Sequence, residues 1–200
     1  FDMHHFPGLQ DPAAQAHLAR LRHFGETAHG VGMQFGLTCL ANEAYAGSPA
    51  ALRPKPARGS YGVELCPSLP EGLALLGRWQ AEVLDAFPRL DFLWTWPYDQ
   101  GGCACEACFP WGGNGYLKAS EQLARLFHER VPDGPVWLST WYLDSMQGDI
   151  GDYNAPFRPL AERRPTWFHG LLGGAGGDTV PAPLASRPEP AAYPLTWFPE

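Results

Sequence analysis

The feature that most constrains the fold is the regular recurrence of short apolar segments. Six of them begin 29, 30, 44, 31 and 28 residues apart: GMQFGLTCL from residue 32, YGVELC from 61, DFLWTWPY from 91, PVWLSTWYL from 135, TWFHGLL from 166 and PLTWF from 194. These intervals are close to the roughly 30 residues of a β-strand with its crossover helix. The segments are apolar on both faces, as in parallel strands covered by helices. The spacing therefore predicts an α/β fold with a parallel sheet.

Amphipathic segments between these runs predict three helices. Asp11-Pro12 is typical of a helix start, because the carboxylate caps free N–H groups and proline tolerates the first helical position. Ser68 and Glu71 have the spacing of a capping box, and Asn114 is a candidate N-cap for a third helix. Each helix has an expected apolar face. It comprises Leu18, Leu21, Phe24 and Ala28 in the first helix, Leu73, Leu76, Val83, Leu84 and Phe87 in the second, and Tyr116, Ala119, Leu123, Leu126 and Phe127 in the third.

Repeated strand and helix units favour a (β/α)8 TIM barrel, with a doubly wound α/β sheet as the alternative. The sequence contains fewer units than a closed barrel needs. We therefore expect residues 1–200 to be a single barrel domain that is truncated at its N-terminal and C-terminal ends. No GxGxxG motif follows a predicted strand, which argues against a dinucleotide site.

Charge and composition exclude several classes of protein. The chain has 14 Lys and Arg against 21 Asp and Glu, a formal net charge of −7, whereas nucleic-acid-binding proteins carry a basic surface. No apolar run reaches the roughly 18 residues of a membrane helix. Hydrophobic residues make up 45% of the chain and argue against disorder. We expect neither a nucleic-acid nor a membrane partner. Clustered thiols favour the cytoplasm, and export would require a signal peptide that has been removed.

Polar residues recur where the predicted strands end. In parallel α/β folds the functional residues lie at the carboxyl ends of the strands. The residues concerned are Asp2, His4 and His5 near the start of the chain, Asn42 and Glu43, the segment from Glu64 to Ser68, Asp99 and Gln100, Asp144, His169 and Glu200. Their recurrence predicts a functional site at this edge of the sheet.

The densest of these stretches is WTWPYDQGGCACEACFPWG, from residue 94. A carboxylate among aromatic rings suits a sugar, because the rings stack on its apolar faces while the carboxylate binds hydroxyls. Apolar walls also raise a carboxyl pKa and can make the group a general acid. We therefore expect Asp99 to be catalytic; the alternative is that it only caps the following turn.

Three cysteines, Cys103, Cys105 and Cys108, lie on one predicted loop, and Cys66 follows a neighbouring run. Four thiolates from adjacent loops would form a closed structural zinc site. Buried free thiols or a single disulfide remain alternatives. Cys39 lies within a predicted strand and is expected in the core.

The segment WPYDQGGCACEACFPWGGNGY resembles barrel proteins related to glycoside hydrolase family 20 and the α-glucuronidase-like families. The phrases YGVELCPSLPEG, DMHHFPG and TWFPE are similar to parts of an uncharacterised bacterial family of that kind. The resemblance implies a TIM-barrel glycosidase or a sugar-binding relative. Family 20 enzymes carry an adjacent Asp-Glu pair, whereas Gln100 follows Asp99 here, so their substrate-assisted mechanism is not carried over.

These observations predict a glycoside hydrolase that acts on oligosaccharides or glycoconjugates. Asp99 would pair with Glu43, Asp144 or Glu200, and catalysis would need no cofactor beyond the possible structural zinc. The expected substrate-binding residues are His4, His5, Trp96, Tyr98, Gln100, Trp111, Trp141, Tyr142 and His169. A catalytically silent sugar-binding barrel is one alternative. A metal-dependent hydrolase that uses His4, His5 and His169 is the other.

Overall fold

Three helices and five strands of one parallel sheet make up the regular structure that the computed structural model describes, over residues 1–58, 62–97, 102–139, 160, 165–172 and 195–196. The helices are α1 (Pro12–Gly30), α2 (Pro70–Asp85) and α3 (Gly115–His128), and a short 3-10 helix spans Ala50–Leu52. The strands are β1 (Gly36–Leu40), β2 (Phe92–Trp96), β3 (Val136–Ser139), β4 (Gly170–Leu172) and β5 (Leu195–Thr196). The predicted α/β class is confirmed.

Each strand of the sheet pairs in parallel with the next strand in the chain, in the order β1-β2-β3-β4-β5. The last residues of β1 and β2, Leu40 and Trp96, are register partners, as are those of β3 and β4, Ser139 and Leu172. The carboxyl ends of these strands therefore meet at one side of the sheet, here called the carboxyl edge. The opposite side, where the strands begin, is called the amino edge.

Helix α1 begins as the sequence predicts, because the Asp11 carboxylate accepts hydrogen bonds from the N–H groups of Ala13 and Ala14 at 2.9 and 3.3 Å. Of its predicted apolar face, Leu18 is buried and Leu21 and Ala28 are half-buried, but Phe24 is not. Phe24 is 71% exposed, whereas the adjacent Gly25 is buried against the ring of Phe35. Successive helical residues point about 100° apart, so burial of Gly25 turns Phe24 towards solvent.

Helices α2 and α3 pack against each other, and the Gln122 amide donates to the carbonyl of Leu73 at 3.0 Å. Their predicted apolar faces are largely buried. Asn114 is the N-cap residue of α3, as predicted, but its side chain does not cap the helix, and the capping box predicted at Ser68 does not form. The Asn114 amide donates instead to the carbonyl of Phe109 at 2.7 Å. The Ser68 hydroxyl lies against two cysteine sulfurs, and Leu69 precedes the first turn of α2 without a side-chain cap.

Five of the six predicted strands are confirmed, but the run YGVELC is not a strand of the sheet. Strand β1 pairs directly with β2, which leaves no position between them for another strand. Residues 62–66 instead run antiparallel to the segment that follows β1, with one isolated bridge between Glu43 and Glu64. Gly62 has a φ of 73°, a left-handed conformation that interrupts an extended strand.

Tyr116 of α3 is buried behind the sheet and links two strands. Its hydroxyl lies 3.1 Å from the carbonyl oxygen of Thr95 and 2.8 Å from that of Ser139. The Thr95 hydroxyl is also within hydrogen-bond distance, at 3.1 Å. One side chain thus satisfies polar groups near the carboxyl ends of both β2 and β3.

Candidate acid–base site and cysteine cluster

The segment after β1 places a glutamate at the carboxyl edge. Glu43 follows Leu40 by three residues and forms a bridge pair with Glu64. The bonds that flank this pair run from the Ala44 N–H to the Val63 carbonyl (2.8 Å) and from the Leu65 N–H to the Asn42 carbonyl (3.0 Å). This is the pattern of a non-hydrogen-bonded antiparallel pair, in which facing side chains extend to the same side. The side chains of Glu43 and Glu64 therefore extend to the same side of the backbone.

The Glu43 carboxyl meets the N-terminal segment of the chain. His4 Nδ1 lies 2.6 Å from Glu43 Oε1 and 2.6 Å from Asp2 Oδ1, and the His4 backbone N–H donates to Glu43 Oε1 at 3.2 Å. The two carboxyl groups thus lie close together around one imidazole nitrogen. Two carboxylates at such a distance repel each other, which favours a proton on one of them.

The surroundings of the two carboxyl groups shift their pKa values in opposite directions. Glu43 is 1% exposed, and burial, with the adjacent Asp2, raises its pKa to about 9. Burial also acts to raise the pKa of Asp2, but the interaction with Glu43 and the nearby His4 and His5 outweigh it, and the pKa of Asp2 is lowered. Burial lowers the pKa of His4. These opposite shifts of the two carboxyl pKa values favour a proton on Glu43 and an ionised Asp2.

A second buried carboxyl, that of Glu64, holds the loop after β2. Glu64 Oε1 accepts a hydrogen bond from the backbone N–H of Gly102 at 2.7 Å. Burial raises the pKa of Glu64 to about 8, against the opposing effects of this hydrogen bond and of Arg58. Gly102 has a φ of 106°, a conformation available chiefly to glycine.

Four cysteines converge beside Glu64. The Sγ atoms of Cys66, Cys103, Cys105 and Cys108 lie within 4.8 Å of one another, and none of these thiols forms a disulfide. Cys66 Sγ is 3.4 Å from that of Cys103 and 3.8 Å from those of Cys105 and Cys108. The predicted four-cysteine set is therefore brought together and could hold a metal ion such as zinc, whereas the single-disulfide alternative is wrong.

Asp2, His4 and His5 also offer ligand atoms within 4.8 Å of one another. However, His4 Nδ1 is already bonded to carboxylate oxygens, and the His5 side chain is 64% exposed beside Asp2. The same contacts that form the acid–base pair occupy His4 Nδ1, so a metal would have to bind His4 through Nε2. His5 lies next to the site, with its ring 3.9 Å from that of His4.

Two residues predicted to contact a sugar have other positions. Trp111 is 1% exposed, and a Cβ on Gly102 or Gly115 would lie 2.5 or 2.3 Å from its ring. Trp111 therefore packs in the core, which corrects its predicted role as a sugar-stacking surface. His169 precedes β4, and its N–H donates to the Val136 carbonyl at 2.6 Å, at the amino edge. The prediction that His169 follows a strand is wrong because the strand forms from the more apolar Gly170–Leu172.

Among the other predicted residues, Glu43 and His4 are in direct contact, and Trp96 is half-buried at the end of β2. Seven fall outside the described residues: Tyr98, Asp99, Gln100, Trp141, Tyr142, Asp144 and Glu200. Asp2 and Glu64 were not predicted as catalytic residues, although both are among the polar residues at predicted strand ends. Asp2 lies beside His4 and Glu43, and Glu64 accepts a hydrogen bond from Gly102; the contacts with Glu43 and Gly102 join residues distant in sequence, which no local pattern predicts.

No protein-family description matches this chain, and a search of curated proteins finds no match either. In the part of the chain that is described, no helix is long and apolar enough to cross a membrane.

Proposed function

We propose that the protein is a glycoside hydrolase in which Glu43 donates the proton to the departing glycosidic oxygen. The observation that carries this proposal is the buried Glu43 carboxyl at the carboxyl edge, held 2.6 Å from His4 Nδ1 beside the Asp2 carboxyl. Two carboxyl groups with pKa values driven apart are the usual arrangement for acid–base work near neutral pH. Asp2 and His4 orient the Glu43 carboxyl, and Asp2 keeps it protonated.

The strand order supports a TIM-barrel framework for this activity. Each described strand pairs with its successor, as in a barrel, whereas a doubly wound sheet reverses its strand order at a switch point. Active sites of TIM-barrel enzymes lie at the carboxyl edge, where Glu43 and Glu64 are found. The resemblance of the cysteine-loop motif to family 20 and α-glucuronidase-like barrels is consistent with this proposal.

A second carboxylate must act on the other side of the scissile bond. Asp2 Oδ1 and Glu43 Oε1 are at most about 5.2 Å apart, because each lies 2.6 Å from His4 Nδ1. Retaining enzymes separate the two groups by about 5–5.5 Å and inverting enzymes by about 6.5–9.5 Å, and Asp2 in addition lies on the same side as the proposed acid, beside the same imidazole. Asp99 is the best candidate by chain position, because it follows Trp96 by the three residues that separate Glu43 from Leu40. Asp144 and Glu200 are the alternatives. Trp96, Tyr98, Gln100, Trp141 and Tyr142 would bind the sugar, and the reaction needs no cofactor.

The test is hydrolysis of a panel of aryl glycosides and glucuronides by the wild type, Glu43→Gln and Asp99→Asn. Loss of a general acid lowers the rate by about 10²–10⁴-fold. The Glu43→Gln variant should lose this factor on glycosides with poor leaving groups and retain much more activity on dinitrophenyl glycosides, whose leaving group departs without a proton. Asp99→Asn should lose activity on both.

Glu129→Gln is the matched control, because Glu129 is exposed at the end of α3 and far from the site in sequence. It should leave all rates unchanged. Equal losses for Glu43→Gln on both kinds of leaving group would contradict the general-acid role. Oligosaccharide binding by the wild type without turnover would favour the sugar-binding alternative instead.

A further inference from the structure

The cysteine cluster has the dimensions of a metal site. Cys66 lies just before α2, and the other three thiols lie on the loop that joins β2 to α3. The sulfur separations from Cys66 are 3.4, 3.8 and 3.8 Å. Zinc binds thiolates tetrahedrally at about 2.3 Å, which places the sulfurs about 3.8 Å apart. The separations from Cys66 are thus close to those of a zinc site, and all four sulfurs lie within 4.8 Å of one another.

A disulfide, an iron–sulfur cluster and ordinary core packing each fit the four thiols less well than zinc does. A disulfide would bring two sulfurs to about 2.05 Å, and none of the cysteines in the described residues is so paired. An iron–sulfur cluster attaches its cysteines to different iron atoms, which would hold the sulfurs farther apart. Core packing explains Cys39, which lies alone in β1, but not the convergence of four thiols from two loops.

The surroundings of the cluster are those of a structural centre. Cys66, Cys103 and Cys108 are at most 2% exposed, which restricts access by water. The Ser68 hydroxyl lies 3.0 Å from Cys66 Sγ and 3.3 Å from Cys105 Sγ. Hydrogen bonds of this kind orient ligands around a metal. Ser68 thus contacts the sulfurs instead of capping α2.

We propose that Cys66, Cys103, Cys105 and Cys108 bind one structural zinc ion that fastens the loop after β2 to the N-terminal end of α2. Four protein ligands complete a tetrahedral site and leave no position for a water or substrate. The ion would join segments that the hydrogen bond from the Gly102 N–H to the Glu64 carboxyl group already connects. This inference does not depend on the proposed glycosidase activity.

The first experiment is elemental analysis of the full chain purified under reducing conditions. We expect about one zinc ion per chain, as in closed four-cysteine sites generally. The zinc content of Cys103→Ser should be at least about ten-fold lower, since this variant lacks one of the four ligands. The matched control Cys39→Ser removes the one cysteine outside the cluster and should keep the full content. Equal zinc in the two variants, or only traces in the wild type after reconstitution, would overturn the proposal.

A second measurement covers the case in which Cys103→Ser fails to fold. Replacement of zinc by cobalt in the wild-type chain should give the intense visible bands of tetrahedral cobalt and a near-ultraviolet sulfur-to-cobalt charge transfer. Ser68→Ala should keep this spectrum but weaken metal affinity about 10–100-fold, measured by competition with a chelator. A spectrum of octahedral cobalt without sulfur bands would contradict four thiolate ligands. One iron ion per chain in place of zinc would overturn the identity of the ion.

Discussion

Truncation of Trp111 tests whether this residue belongs to the core or to a sugar-binding surface. The side chain is 1% exposed, and burial of a tryptophan removes about 150–250 Å² from water. At about 25 cal/mol per Å², that area corresponds to about 4–6 kcal/mol. In Trp111→Ala the alanine side chain stays buried, but loss of the ring leaves a cavity. We therefore expect the free energy of unfolding to fall by about 3–5 kcal/mol.

A conservative variant separates volume from hydrogen bonding. Trp111 Nε1 is buried and has no hydrogen-bond partner among the described residues. Trp111→Phe removes this unsatisfied donor together with part of the ring, so its cost should be smaller, about 1–2 kcal/mol. Phe24→Ala is the control, because Phe24 is 71% exposed and its truncation should cost at most about 0.5 kcal/mol.

Equilibrium urea unfolding followed by far-ultraviolet circular dichroism measures all three variants. We expect the urea midpoint to be lowered least by Phe24→Ala, more by Trp111→Phe and most by Trp111→Ala, with similar m-values for all three variants. A cost below about 1 kcal/mol for Trp111→Ala would refute the assignment of Trp111 to the core. A loss of oligosaccharide affinity at unchanged stability would restore the role predicted from the sequence.

Three further predictions concern the sheet, a helix start and the buried carboxyl. The pKa of Glu43 is raised from 4.5 to about 9, so the stability that its protonated form provides is complete below about pH 4.5 and is lost as the pH rises through about 9. In Glu43→Gln the free energy of unfolding, measured between about pH 5 and 9, should no longer show this decrease. Tyr116→Phe should cost about 1–3 kcal/mol in urea unfolding, because the Thr95 and Ser139 carbonyls lose their shared donor, and a neutral result would contradict this account. Asp11→Ala should cost about 1 kcal/mol through loss of the α1 cap, and Asp11→Asn should restore most of it.

The sequence predicted best what depends on local periodicity. The cap at Asp11, the buried faces of α2 and α3 and five strands follow from neighbouring residues. The segment 61–66 was misassigned because its apolar pattern is that of a strand, whereas Gly62 and the bridge at Glu64 direct it along the residues after β1. Ser68 has the spacing of a cap, but its partners are sulfurs distant in sequence.

The candidate site was predicted only in part for the same reason. Glu43 and the four cysteines were selected from their residue types and positions. The role of Asp2 depends on a contact with Glu43, 41 residues later in the chain, that no periodic pattern reports. His169 was placed at the wrong edge because one apolar run contains both the approach to β4 and the strand itself.

The order of the strands has a consequence for synthesis of the chain. Neighbouring strands begin 56, 44, 34 and 25 residues apart, and none of those described must be inserted between two earlier ones. On the ribosome, where N-terminal segments emerge first, β2 can join β1 before β3 has been made. Each later strand then extends an edge that is already formed. The temporal order of translation and the spatial order of the sheet coincide, which favours stepwise co-translational assembly over a search among alternative pairings.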